Sequence, residues 1–207
     1  MIVLKTHSEL ERMKKACRIS AESLSVAEEL IRPGITTREI DRAMHDFIVR
    51  SGAKPSFLGL YGFPASACIS VNDVVIHGIP GDYRLQEGDI VSIDVGACCD
   101  GFHGDNAYTF PVGQISEENQ RLLRVTQESL YKGIEAAVIG NRIGDISFAV
   151  QSHVTPYGFG IVRQFVGHGV GKALHEDPEV PNFGKAGHGP RLVEGMTIAI
   201  EPMITLE

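Results

Sequence analysis

"DIVSIDVGACCDGFHGDNAYTF" occupies Asp89 to Phe110, and its reading decides the fold. Val91, Ile93 and Val95 alternate with Ser92, Asp94 and Gly96, the period of a half-buried strand. Asp100-Gly101 is a hairpin turn signal. Each strand then carries an aspartate, Asp94 and Asp105. If Asp100 and Gly101 alone form the loop, Asp105 stands opposite Gly96, and Asp94 is its diagonal neighbour on the same face. A four-residue loop, Cys98 to Gly101, sets the two aspartates directly opposite. Only an odd-length loop puts them on opposite faces. Same-face diagonal neighbours lie roughly 7–8 Å apart and direct ones about 5 Å, and like charges that close destabilise a sheet. A hard divalent cation, which takes oxygen ligands, resolves the repulsion. A solvated polar face is the alternative.

The rest of the chain is ordinary in composition. Its 207 residues suit one domain or a fused two-lobed one, and 43 % apolar residues are enough for a sizeable core. The formal net charge is −7, and no basic cluster is longer than Lys14-Lys15, which argues against nucleic acid as a partner. The opening MIVLKTHSELER lacks the pattern of a signal peptide. No apolar run reaches the length of a membrane span, so no membrane is expected. Cys17, Cys68, Cys98 and Cys99 include no C-x-x-C, and the adjacent pair makes a poor disulfide framework. Reduced thiols in a cytoplasmic protein are the expectation.

Helical periodicity covers residues 8–31, with Leu10, Met13, Cys17, Leu24, Ala27 and Ile31 on one face. Ser8 and Glu11 have the spacing of a capping box, and Pro33-Gly34 stops the helix. A second helix opens at Thr36 with Glu39, carries Ile40, Met44, Phe47 and Ile48, and ends near Ser51-Gly52. Strand-like segments follow from Ser66 to Phe110. The plan then repeats: a long helix from Ser116 to Ile139 ended by Gly140-Asn141, a shorter one from Asp145 to Val154, and strands from Ile161 onward. His45 and His153 fall on helices and read as ordinary surface or core histidines.

Residues repeat as well as elements. "LQEGDIVSID" ends at Asp94 and "LVEGMTIAIE" ends at Glu201, with equal spacing from the glycine to the acid. The expectation is a single domain, 1–207, built from two similar halves of about 1–112 and 113–207, with Asp94 and Glu201 as pseudo-twofold mates pointing into a shared centre. Asp94 has Asp105 as its hairpin partner. Glu201 calls for an acidic partner on a returning strand, yet the sequence ends six residues later. Either the second half is built differently, or a C-terminal hairpin is missing.

"FVGHGVGKALHEDPEVPNFG" adds His168, flanked by glycines that would let a small ligand or metal approach, and His175; "NDVVIHGIPGD" adds His77. With "SIDVG", "GFHGDNAYTF" and "GMTIAIEPM", in this order and spacing, these motifs cover essentially the whole chain. The chain resembles the bacterial-type type I methionine aminopeptidases, metallopeptidases of the pita-bread fold. The short stretch from His175 to Glu201 lacks the insertion that marks type II enzymes.

That resemblance implies an α+β pita-bread fold, with two pseudo-twofold-related halves, each two helices plus antiparallel sheet, around a dinuclear metal centre. It implies that Asp94 chelates one metal, Asp105 bridges both, and His168 and Glu201 bind the other. A fifth family ligand, a glutamate on a later strand, is not in this sequence, so fewer ions and impaired activity are expected of this chain. The two divalent ions would be Co, Mn, Fe or Zn, which all suit a mixed nitrogen and oxygen set. The implied activity is hydrolysis of the first peptide bond, removing N-terminal methionine from peptides and nascent chains. Glu201 is then a proton shuttle, His175 a donor to the developing oxyanion, and His77 a contact to the scissile amide nitrogen. Leu60, Phe63, Cys68, His77, Leu174 and His175 would bind the substrate. Leu60 and Phe63 stand where the family more usually has tyrosines, and Leu174 where it has an aromatic residue. A monomer with transient ribosome contact is implied. The competing expectations are an aminopeptidase P or proline dipeptidase, and a non-catalytic relative that keeps the fold as a binding module.

Overall fold

The computed structural model describes residues 1–206; the last residue of the expected second half lies outside the described residues. The chain runs through α1 (His7–Leu30), α2 (Thr37–Arg50), β1 (Lys54–Pro55), β2 (Ala67–Val71), β3 (Ile90–Cys99), β4 (Phe102–Pro111), α3 (Glu117–Ala136), α4 (Ile143–Val154), β5 (Gly160–Ile161), β6 (Gly167–Gly169), β7 (Glu176–Val180) and β8 (Ile204–Thr205). It divides into two units. One comprises Ser8–Ser116 with Gly171–Leu174; the other comprises Met1–His7, Glu117–Val170 and the chain from His175.

In the first unit β3 pairs with β1, β2 and β4, all antiparallel. The β3–β4 hairpin takes the two-residue loop. Asp100 and Gly101 both have positive φ, 52° and 79°, as a type I′ turn requires. Cys99 therefore faces Phe102, Gly96 faces Asp105, and Asp94 faces Ala107. Val91, Ile93 and Val95 point the other way, into a core with Ile40, Met44 and Ile48 of α2 and Ala16, Ile19 and Ala27 of α1. Small residues let α1 come close to β4. A Cβ on Gly104 would stand 2.3 Å from the Cys17 nitrogen, and Ser20 Oγ donates to Asn106 Oδ1.

The second unit holds α3, α4 and two short antiparallel pairs, β5–β8 and β6–β7. Ile143, Ile146, Val180 and Leu192 form its core, with Met196, Ile198 and Ile200 packed against them.

Each unit closes its helix pair onto its acidic segment with the same hardware. Gly34 (φ 92°) donates to the Leu85 carbonyl at 2.7 Å, and Gly140 (φ 97°) donates to the Leu192 carbonyl at 3.1 Å. The Leu85 N–H returns to Ile35, and the Leu192 N–H to Asn141. Arg84 caps the Gly34 carbonyl at 2.7 Å, and Arg191 caps that of Gly140 at 2.9 Å. The repeat glycines Gly88 and Gly195 share left-handed φ values of 93° and 85°.

Several boundaries differ from the sequence reading. Helix α1 already includes His7, so Ser8 lies inside its first turn, and Glu11 pairs instead with Lys14. Thr36 does cap α2, with the reciprocal Glu39 bond in place. Helix α3 stops at Ala136 rather than Ile139, because the Asn141 side chain takes the Ala136 carbonyl at 2.9 Å. Helix α4 begins at Ile143, where Asp145 accepts from the Arg142 N–H at 2.7 Å. The segment ending at Glu201 is not a ladder strand. It touches β6 through one bridge, Gly169 with Ile198, because β6 has only three residues and a register shift at His168/Gly169.

Gly104→Ala is expected to destabilise the protein by about 3 kcal/mol, the upper end for overpacking a tight contact. Urea unfolding measures this, and a loss below about 0.5 kcal/mol, the size of an ordinary surface change, would show that α1 yields without cost.

Candidate metal and substrate site

Asp94 and Asp105 share one face of the hairpin as diagonal neighbours, both half-buried. Cys68 of β2 stands opposite Asp94. Burial pushes its thiol up to about 12, and the negative charges of Asp94, Asp105 and Asp41 add to the rise. Helix α2 fixes the start of β2. The Asp41 carboxylate accepts from the Ser66 and Ala67 N–H groups at 2.9 and 2.8 Å, and His45 Nδ1 shares a 2.8 Å bond with Ser66 Oγ. His45 is thus a packing and hydrogen-bonding residue. His153 likewise bonds Glu128 at 3.0 Å.

Leu60, Phe63, Cys68 and Leu174 gather into one apolar cluster, together with Phe57. Phe57 was not expected from sequence. Its signal is Gly96: a strand glycine marks close approach of another segment, and a Cβ there would stand 2.7 Å from Ser56 Cβ and 2.9 Å from the Phe57 ring. His77 is exposed, in left-handed backbone at φ 58°. Gly78 explains the His-Gly pair. The Ile69 N–H donates to its carbonyl at 2.8 Å, its own N–H donates to Ser70 Oγ at 3.0 Å, and a Cβ would stand 2.2 Å from the Ile69 oxygen.

In the second unit His168, His175 and Glu201 come together. His168 Nδ1 bonds the Gly169 carbonyl at 2.8 Å, so Nδ1 carries a proton, because a carbonyl only accepts. Nε2 faces Glu201 Oε1 at 3.2 Å. The His175 ring stands edge-on to His168, with centroids 4.5 Å apart. Nε2 and Oε1 at this distance share a proton, or with Nε2 deprotonated both can ligate a cation, so these donors fit a metal. So do the two hairpin carboxylates, a hard oxygen pair on one face. Among the described residues no group of three or more His, Cys, Asp or Glu is gathered as a ready-made metal cage. The glycines beside His168 permit close backbone packing. A Cβ on Gly167 would stand 2.3 Å from the Ala199 oxygen, and one on Gly169 would stand 2.1 Å from that of Asp177. Asn182, fully buried, donates to the Glu201 carbonyl at 2.6 Å.

A buried ion pair adjoins His175. Lys5 Nζ bonds Glu176 Oε2, with their side chains 3 % and 10 % exposed, and it also donates to the Val3 carbonyl at 2.9 Å. The Lys5 N–H donates to Gly195 at 2.8 Å. The N-terminal segment thereby holds both the residue after His175 and the turn that leads to Glu201. No signal in the sequence marks this pair.

The sequence profile of metallopeptidase family M24 matches residues 11–207. The chain belongs to this family. Among M24 relatives, the methionine aminopeptidase of Clostridium perfringens is 58 % identical over 206 residues, which cover 100 % of this chain and 83 % of that one. The crystal structure of methionine aminopeptidase from Rickettsia prowazekii superposes with a TM-score of 0.98 at 39 % identity, covering 100 % of this chain and 84 % of that one. That of the Thermotoga maritima enzyme gives 0.97 at 44 %, covering 99 % and 82 %. The fold is therefore the pita-bread fold of these M24 enzymes. Among the described residues no helix is long and apolar enough to cross a membrane.

Lys5→Met removes the ammonium partner of the buried Glu176 carboxylate, and is expected to cost about 3–5 kcal/mol; Lys5→Met with Glu176→Leu should recover most of that loss. Thermal unfolding of the three proteins measures it, and an unrecovered double variant would show that the pair is not the stabilising feature.

Proposed function

We propose that this M24 metallopeptidase is a methionyl aminopeptidase, hydrolysing the first peptide bond of chains that begin with methionine. The observation that carries the reading is chain-long identity to methionine aminopeptidases, 58 % with the Clostridium perfringens enzyme. The apolar cluster of Phe57, Leu60, Phe63, Cys68 and Leu174 supports it, because an unbranched thioether needs an apolar, uncharged wall.

Asp94, Asp105, His168 and Glu201 are assigned to two divalent ions, Co, Mn, Fe or Zn, with Asp105 shared by both. Such ions lower the pKa of water to near neutrality and polarise a carbonyl. The chain's own residues do the rest. His175 donates to the scissile carbonyl oxygen as it gains charge. His77 steadies the scissile amide nitrogen, and its exposed, left-handed loop position leaves the imidazole accessible to a peptide. Glu201 holds and returns a proton, a role suited to a half-buried carboxylate beside an imidazole. The apolar cluster takes the methionine side chain. We assign the enzyme to the cytoplasm, as a monomer that meets nascent chains in transient contact with the ribosome.

The test is turnover of a Met-Ala-Ser peptide with added Co²⁺ or Mn²⁺, beside an X-Pro dipeptide. Release of methionine is expected. Cleavage of the X-Pro substrate alone would move the chain to the aminopeptidase P and proline dipeptidase class, and cleavage of neither would leave a binding module.

Two variants check the assignments. His175→Ala is expected to lower kcat by about 10²–10³, the effect of losing one oxyanion donor, with metal content unchanged; lost metal would make His175 a ligand. In calorimetric metal titrations Asp105→Asn should weaken both ion sites, whereas Asp94→Asn should weaken mainly one. Equal single-site losses in the two variants would refute the sharing of Asp105.

A further inference from the structure

We infer that His103 is a positioning residue that sets the shape of the apolar cluster, and hence the selection of the first side chain. The inference rests on the reading of that cluster as the methionine subsite. His103 belongs to β4, opposite Cys98. It is not a member of the cluster. Its backbone and its ring instead tie down two separate stretches of chain that are.

The His103 N–H donates to the Gly171 carbonyl at 2.8 Å. Gly171 opens the four-residue excursion that ends at Leu174, which is 5 % exposed. The excursion turns tightly, with the Gly171 N–H bonded to the Ala173 carbonyl at 3.0 Å, so fixing Gly171 fixes where Leu174 enters the cluster. The His103 ring reaches the other way. Its Nδ1 shares a 2.8 Å bond with Ser56 Oγ. Ser56 immediately precedes Phe57, and its own N–H donates to the Gly96 carbonyl at 2.9 Å. Strand β1 has only two residues, ending at Pro55, so regular sheet pairing stops just before this stretch. Gly96 completes the fit, since any side chain there would collide with Ser56 and Phe57.

One residue thus ties down the two stretches that bring Phe57 and Leu174 into the cluster. Both belong to irregular segments, which open more readily than core strands. A hydrogen-bonded brace on both sets how closely the two stretches pack. An apolar subsite reads shape, unbranched methionine against γ-branched leucine, and a single methylene-sized difference changes kcat/KM by about 10–200-fold.

The experiment compares wild type with His103→Ala, Ser56→Ala, the double variant and His103→Asn. Two readouts are taken: kcat/KM for Met-Ala-Ser over Leu-Ala-Ser, and amide hydrogen exchange in the peptides that carry Phe57 and Leu174. Metal content is measured alongside, because Asp105 lies two residues away. Each alanine variant should lower the Met/Leu ratio about tenfold, chiefly through KM for the methionine peptide. Ser56→Ala and His103→Ala should each speed exchange about tenfold in the Phe57 peptide, with the Leu174 peptide, α2 and α4 unchanged, because the His103 backbone N–H to Gly171 survives both changes. The double variant should be no worse than His103→Ala alone, since both changes break one bond. His103→Asn, whose amide can replace Nδ1, should restore most of the ratio. An unchanged ratio with a general fall in stability would reduce His103 to a fold residue and overturn the inference. So would additive losses in the double variant, or exchange that quickens nowhere near the cluster. If wild type cleaves neither peptide, the enzymatic reading fails by itself, and the exchange pattern still decides whether the brace exists.

Discussion

Two carboxylates on one face of a hairpin repel each other at the distance between diagonal neighbours, and nothing in a β-ladder relieves that repulsion. In this protein the register that creates the problem is held firmly. The Asp100-Gly101 turn has both residues in left-handed backbone, which fixes a two-residue loop and puts Asp105 opposite Gly96. A slip of one residue on β4 would send Asp105 into the core among Val91, Ile93 and Val95. The back of the hairpin is fixed too, because α1 rests directly on Gly104, one residue before Asp105. The fold thereby holds two carboxylates side by side on one face, the arrangement to which the proposed cation is assigned. Cys68 lies beside this pair, its thiol raised first by burial and further by the charges of Asp94, Asp105 and Asp41.

The second unit reaches an acidic position by the same means. Its left-handed glycine, its leucine paired back to the helix pair and its arginine on the glycine carbonyl match those of the first unit residue for residue. What differs is the end product. Asp94 lies within a ten-residue strand paired on both sides. Glu201 follows an irregular segment bridged to β6 at Ile198 and is placed by the Ala199 N–H on the His168 carbonyl and by Asn182. A histidine occupies that second acid's neighbourhood, so the donor set is mixed, and the imidazole is oriented by its bond to Gly169.

Much of this was legible in the sequence because it rests on local rules. Period-2 alternation and a Asp-Gly turn specify a hairpin whatever surrounds it, and the Thr36/Glu39 box specifies a helix start. The repeat of Leu-x-Glu-Gly marked two matching turns, with Gly88 and Gly195 both in left-handed backbone. The remainder depends on tertiary neighbours. Helix α3 stops early because Asn141 competes for its last carbonyl, which no propensity scale registers. The glycines around His168 permit close approach of the backbone oxygens of Ala199 and Asp177. The Lys5–Glu176 pair joins residues far apart in the chain, and Phe57 enters the cluster only because Gly96, distant in sequence, makes room.

The most direct test of the account is the position of bound metal on the hairpin. Crystals grown with Mn²⁺ and measured at a wavelength where manganese scatters anomalously locate the ion without reference to activity. The account predicts an anomalous peak within coordination distance of the carboxylates of both Asp94 and Asp105. Full manganese occupancy elsewhere, with these two side chains left to water, would contradict it.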